Sequence, residues 1–198
     1  MTRIGNYAFA GCTNLKTIKL NNNLTYIGDN AFYKCTNLDN IAIPKSVTDI
    51  GEYAFSHTSS KNVKFEDGIQ LSTISTGLFQ VSGLTNIELP NSIKEIKNTA
   101  FARTPLIDII IPNGVETVER RAFESCRQLA KIYIPNSVTT MEYSDKYGVF
   151  YDCDSSLLHI YCEAESIPST WKSYFNETSD NNYATVSYGI TLEQYEQK

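Results

Sequence analysis

One phenylalanine recurs along the chain at near-constant spacing: Phe9, Phe32, Phe55, Phe79, Phe101, Phe123 and Phe150, at intervals of 23, 23, 24, 22, 22 and 27 residues. A period in this range predicts a stack of similar rungs, because a short unit cannot bury its apolar face alone and must share a core with its neighbours. In such a stack function is carried by an extended face rather than by a single cleft around one core.

The rest of the unit falls into columns. An aliphatic residue precedes each Phe by five positions at Ile4, Ile27, Ile50, Ile74, Ile96 and Val118, and Met141 continues the column with a four-residue insertion before Phe150. Three residues after each Phe stands a small side chain: Cys12, Cys35, Thr58, Ser82, Thr104, Cys126 and Cys153. A leucine column follows (Leu15, Leu38, Leu84, Leu106, Leu129), with the third and seventh units irregular. Next comes an apolar-x-apolar pair, from Ile18/Leu20 and Ile41/Ile43 through Val63/Phe65, Ile87/Leu89, Ile109/Ile111 and Ile132/Ile134 to Ile160/Cys162. Pro44, Pro90, Pro112 and Pro135 close four of these segments, as suits a residue that cannot donate a ladder hydrogen bond.

The Leu-x-x-Ile-x-Leu core is the strand of a leucine-rich repeat, its apolar side chains pointing inward and the residues between them outward. The unit IGDNAFYKCTNLDNIAIPKSVTDIG resembles the BspA-like leucine-rich repeat family, also called the Treponema pallidum type, and AESIPSTWKSYF is similar to that family's terminal segment. The expected fold is a leucine-rich repeat solenoid, a right-handed curved stack of about seven repeats of 22–27 residues. Each repeat contributes one short strand to a parallel sheet, with short helix or turn elements on the other side. The repeat domain spans residues 1–175, and residues 176–198 form a C-terminal cap or the start of a linker. The resemblance implies a bacterial or protist surface protein, hence an extracellular or cell-surface location, and a role in adhesion.

Composition agrees with a folded module: 41% hydrophobic and 20% charged, with no apolar run long enough to span a bilayer. The net charge of −5 is uneven, since residues 163–198 hold six acids against two lysines while residues 1–162 are almost neutral. No basic stripe of the kind that neutralises phosphates is present, which argues against a nucleic-acid partner. The chain opens inside a repeat, at MTRIGNYAF, so it is expected to be a piece of a longer surface protein.

Cys12, Cys35, Cys126 and Cys153 share a column with Thr and Ser, which points to small buried side chains rather than chemistry. Five cysteines do not make a closed disulfide framework, although a Cys12–Cys35 bridge between neighbouring rungs stays open. Cys153, His159 and Cys162 are the nearest approach to a metal motif, and the repeat columns already account for them, so no metal or cofactor is expected. His57 and His159 are the only histidines, and neither stands beside a nucleophile motif, so the chain is expected to be non-catalytic.

Two outward columns remain. Between the apolar pair lie Lys19, Ala42, Lys64, Glu88, Ile110, Tyr133 and Tyr161, and just before it lie Thr17, Asn40, Asn62, Asn86, Asp108, Lys131 and His159. Strands about 4.8 Å apart should bring Ile110, Tyr133 and Tyr161 into one patch flanked by Asp108, Lys131 and His159, the first candidate binding site. The bland alternative is cross-strand stabilisation of the sheet. Asn40, Asn62 and Asn86 form a second candidate strip, with a solvated polar ladder as its alternative. The irregular third repeat, SSKNVKFEDGIQLSTI, and the insertion EYSDKYGV (Tyr143, Asp145, Lys146, Tyr147) are loops of the kind that often carry recognition. For the insertion the alternative, and the favoured one, is drift near the end of the array, where repeats are atypical. Alternation at Ala184, Val186, Tyr188 and Ile190 predicts one more strand, and LEQYEQK a short helix or linker.

The function expected is therefore a non-catalytic protein-interaction module that adheres to a host or neighbouring-cell protein through the strand-lined face. A glycan-binding module using Tyr133 and Tyr161, and a spacer within a larger surface protein, are the alternatives.

Overall fold

The computed structural model describes residues 1–144, 147–179 and 182–198. Asp145 and Lys146 of the inserted loop lie outside the described residues. The chain forms a parallel-strand solenoid of about eight turns whose apolar columns merge into one continuous core.

The expectation of one strand per repeat is corrected, because most rungs carry two short strand segments. The first ladder joins Arg3–Ile4, Tyr26–Ile27 and Asp49–Ile50, and resumes through Thr73–Ile74, Glu95–Ile96, Thr117–Val118 and Thr140–Met141. Its Ile column is therefore itself a strand, too short at two residues to show alternation in the sequence. The second ladder pairs Ile41–Ile43 with Val63–Phe65 and resumes as Asp108–Ile110, Lys131–Ile134, His159–Cys162 and Thr185–Ser187. In place of the short helices expected opposite the sheet stand turns, and the only helix among the described residues is Leu192–Glu196.

A third ladder runs through the turns around each Phe. Tyr7, Phe9 and Gly11 donate their amides to the carbonyls of Asp29, Ala31 and Tyr33 in the next rung, and the pattern repeats along the stack. It needs a left-handed residue two places before and two places after the Phe. Non-glycine residues fill most of these positions, with φ between 53° at Thr99 and 60° at Arg103 and Asp152. Each costs on the order of 1 kcal/mol, and the inter-rung hydrogen bonds offset that cost.

Within the turns the Phe rings stack face to face, from 5.2 Å between Phe9 and Phe32 to 6.1 Å between Phe55 and Phe79. Another fully or nearly fully buried column escaped the sequence reading: Leu24, Val47, Ile69, Ile93, Val115 and Val138. Trp171 closes it by donating its indole N–H to the Val138 carbonyl at 3.2 Å.

The small-residue column has a hydrogen-bonding reason. Cys35, Cys126 and Cys153 point their thiols at the carbonyls of Phe9, Phe101 and Phe123 one rung back, at 3.0–3.1 Å. Thr58 and Thr104 instead donate to the Phe carbonyl of their own rung. All five cysteines are free thiols, so the Cys12–Cys35 bridge left open above is not formed, and Cys12 is exposed.

The third repeat departs from this regularity. Ser60 stands where other rungs place leucine; it is fully buried and donates to the Leu38 carbonyl at 3.0 Å. Eight residues separate Phe65 from Ile74, where the corresponding turns elsewhere have six. At this step the first ladder breaks between Ile50 and Thr73, the second breaks after Phe65, and the Phe stack is at its widest. Ile87–Leu89, the fourth rung's segment, joins no strand on either side. The turn ladder carries across regardless, with Tyr53, Phe55 and His57 donating to Thr76, Leu78 and Gln80.

Candidate functional site

The sheet break opens a cleft on the strand-lined face. One part, of ≈ 430 Å³, is lined by Asn62, Asn86, Glu88, Asp108, Ile110 and Pro112 over a floor of Val63, Ile87, Leu89 and Ile109. A continuation of ≈ 640 Å³ runs along the enlarged turn, past Glu66, Asp67 and Gln70. Among the described residues, no hydrogen bond from the neighbouring rungs reaches the backbone of Ile87–Leu89. The walls are polar or acidic apart from Lys64 in the continuation, and the floor is apolar.

Two clusters emerge from the nine residues nominated by sequence. Asn62, Asn86, Asp108 and Ile110 line the cleft. Asn40 adjoins them, accepting a 3.3 Å hydrogen bond on Oδ1 from Asn62 Nδ2, whereas Asn86 turns to Thr85 beyond the break. The expected asparagine ladder thus exists for one step only.

Lys131, Tyr133, His159 and Tyr161 form the second cluster, and its availability is corrected. Tyr133 points outward as strand alternation requires, yet it is only 4% exposed. The C-terminal helix lies over it, placing Tyr195 5.5 Å from Tyr133 and 5.4 Å from Tyr161, centroid to centroid. Lys131 Nζ stands 4.6 Å from the Tyr195 ring centroid and 3.9 Å from Asp108. His159 stacks on Tyr161 at 4.2 Å and shares a 2.8 Å hydrogen bond with Ser187, turned away from Cys153 and Cys162. Burial, then the Glu163 carboxylate, pushes the Tyr133 hydroxyl up to about 12. Burial, then the Lys198 charge, lowers the His159 pKa from its ordinary value. The continuous Ile110–Tyr133–Tyr161 patch is therefore divided: Ile110 faces the cleft, and the two tyrosines hold the chain's own tail.

Sequence reasoning missed Glu88 and Tyr195 as parts of these sites. The available signal for the first was the two-residue excess in the third turn, which marks where neighbouring strands lose register. Nothing local pointed to Tyr195, whose role comes from packing across the sheet. In the inserted loop, Tyr143 bonds Glu177 at 2.9 Å and meets Tyr174 at 4.4 Å, so its ring serves to hold the terminal segment.

The repeated rungs, the shared apolar columns and the strand-lined face define a leucine-rich repeat protein. Residues 1–104 and 94–195 match the family model for the BspA type leucine rich repeat region, in six copies, and the chain belongs to that family. Among solved structures it is similar to a leucine-rich repeat protein from Bacteroides ovatus, at 28% identity and a TM-score of 0.56, over 82% of this chain and 47% of that one. The chain thus spans about half the length of that relative. A leucine rich cell surface protein from Faecalibacterium prausnitzii matches at 21% identity and a TM-score of 0.45, over 99% of this chain and 59% of its own. The T. pallidum leucine-rich repeat protein matches at 22% and 0.44, over 79% and 73%. A search of curated proteins finds no match. The chain is a repeat module of the protein-interaction class, and no helix among the described residues is long and apolar enough to cross a membrane.

Proposed function

We propose that this chain is the recognition part of a cell-surface protein and adheres to a protein on a host or neighbouring cell. The binding face is the strand-lined one, centred on the cleft at the fourth rung. The observation that supports this reading is the gathering of Asn62, Asn86, Asp108 and Ile110 around an apolar floor at the one internal interruption of the second ladder. Interface cores of this kind combine a desolvated floor with a polar rim. The glycan alternative is weakened, since one of its two stacking rings, Tyr133, is covered.

The test is binding of the purified chain to an array of extracellular-matrix and cell-surface proteins beside a glycan panel. A cleft variant, Asn62→Lys with Glu88→Lys, is compared with Tyr161→Ala, each checked for folding. Protein hits lost only in the cleft variant support the reading. Hits on the glycan panel that vanish with Tyr161→Ala overturn it in favour of sugar binding, and silence on both leaves the spacer role.

A further inference from the structure

The cleft has a chemistry more specific than a general protein surface. Its smaller part carries two carboxylates, Glu88 and Asp108, and no cationic side chain in its lining. Glu88 is exposed, and Asp108 meets Lys131 only at 3.9 Å and the rim of the cleft. Between them runs Ile87–Leu89, whose backbone is unpaired towards both neighbouring rungs, and the accessible apolar lining is Ile110 with part of Ile87. An extended backbone with open N–H and C=O groups is a template for another extended segment, and alternate side chains of that segment then meet the surface below.

We propose that the fourth-rung cleft takes an extended peptide segment of a partner protein in which apolar residues alternate with Lys or Arg. Main-chain hydrogen bonds form with Ile87–Leu89, the apolar residues rest on Ile87 and Ile110, and the cations face Glu88 and Asp108. This rests on the reading of the face as a protein-binding surface and adds the chemistry of what it binds. It also accounts for the third repeat: the longer turn and Ser60 in the leucine column keep the ladders from closing over the site.

The probe is the acetylated, amidated pentapeptide Lys-Val-Lys-Val-Lys, titrated into the labelled full chain and followed by backbone amide shifts. Saturable shifts are expected at Asn62, Asn86–Leu89 and Asp108–Ile110. Affinity should fall about tenfold when the two valine amides of the peptide are N-methylated, which removes main-chain donors without changing charge. It should fall about three- to fivefold in E88Q combined with D108N, and stay unchanged in Tyr161→Ala. Equal binding of Glu-Val-Glu-Val-Glu, saturable shifts centred elsewhere, or no saturable shift overturns the proposal. The two failures are distinguishable: a silent pentapeptide with intact array hits overturns only the extended basic chemistry, and absent array hits overturn the reading beneath it.

Discussion

The ring of Tyr195 sits 5.5 Å from that of Tyr133 at a tilt of 54°, so the last helix roofs a tyrosine that strand alternation turns outward. The roof is held by a capping box, Thr191 with Gln194, and by the parallel pairing of Thr185–Ser187 with His159–Tyr161. The Tyr195 hydroxyl is buried without a hydrogen-bond partner.

Tyr195→Phe should therefore keep the helix docked and raise stability by about 1 kcal/mol, since it removes a desolvated, unsatisfied group. Tyr195→Ala should lose about 3 kcal/mol of local packing and speed amide exchange over residues 185–198. Thermal melts with hydrogen exchange separate the two; equal loss in both variants would mean the hydroxyl is needed.

The Phe stack predicts a steep cost at its middle. Phe101 is fully buried between Phe79 and Phe123, at 5.8 and 5.3 Å. Phe101→Ala should destabilise by roughly 3–5 kcal/mol, and Phe9→Ala, on a half-buried first rung, by distinctly less. Urea denaturation of both variants checks the gradient.

Gly5, Gly28 and Gly51 occupy one repeat position, yet alanine should affect them differently. A Cβ on Gly5 meets nothing within 4 Å among the described residues. On Gly28 or Gly51 it would overlap the backbone nitrogen of Asn6 or Asp29. Gly5→Ala should be neutral and Gly51→Ala destabilising by about 2 kcal/mol or more, measured by urea midpoint.

Stability should fall in alkali. Burial pushes Cys126 up to about 11 and Cys162 up to about 12 from 9.0, and burial with Glu163 pushes Tyr133 up from 10.0 to about 12. The folded chain holds these protons more tightly than the unfolded one. The stability they bring is whole below the unfolded values and is lost as pH rises through the window from 9.0 to about 12. Urea midpoints measured on either side of pH 9.0 should decline on the alkaline side, and Cys126→Ala with Cys162→Ala should flatten the decline's first part.

Replacing the eight-residue turn Glu66–Thr73 with the six-residue turn Pro112–Thr117 should restore ladder pairing at the fourth rung. Amide exchange at Val63–Phe65 and Ile87–Leu89 should slow by about tenfold, as hydrogen bonds close over the cleft. Unchanged exchange would show that turn length does not cause the break.

Much of the fold was legible because buried positions repeat. The Phe, Ile and leucine columns gave rung number and spacing, and alternation gave the inward and outward faces. The doubled strand was not legible, since a two-residue strand such as Tyr26–Ile27 has no alternation to detect. The Leu24-to-Val138 column was hidden among turn residues such as the Pro-Asn-Ser-Val of 135–138. Of the candidate site, the outward columns contain Asn62, Asn86, Asp108 and Ile110, which line one cleft. The cover over Tyr133 was not readable, because it depends on a residue 62 positions later docking across the sheet.

The interrupted third repeat has a mechanical consequence. Rungs stacked in series share any pull along the axis, and the stack yields at its weakest step. Between the third and fourth rungs both strand ladders are absent, leaving the turn ladder, the Ser75 hydroxyl on the Ile50 carbonyl, the Ser56 hydroxyl on the Gln80 carbonyl, the Gly83 amide on the Thr58 carbonyl and the widest Phe contact to bear the load. A tethered chain under shear would part there first, into one piece of three rungs and one of five.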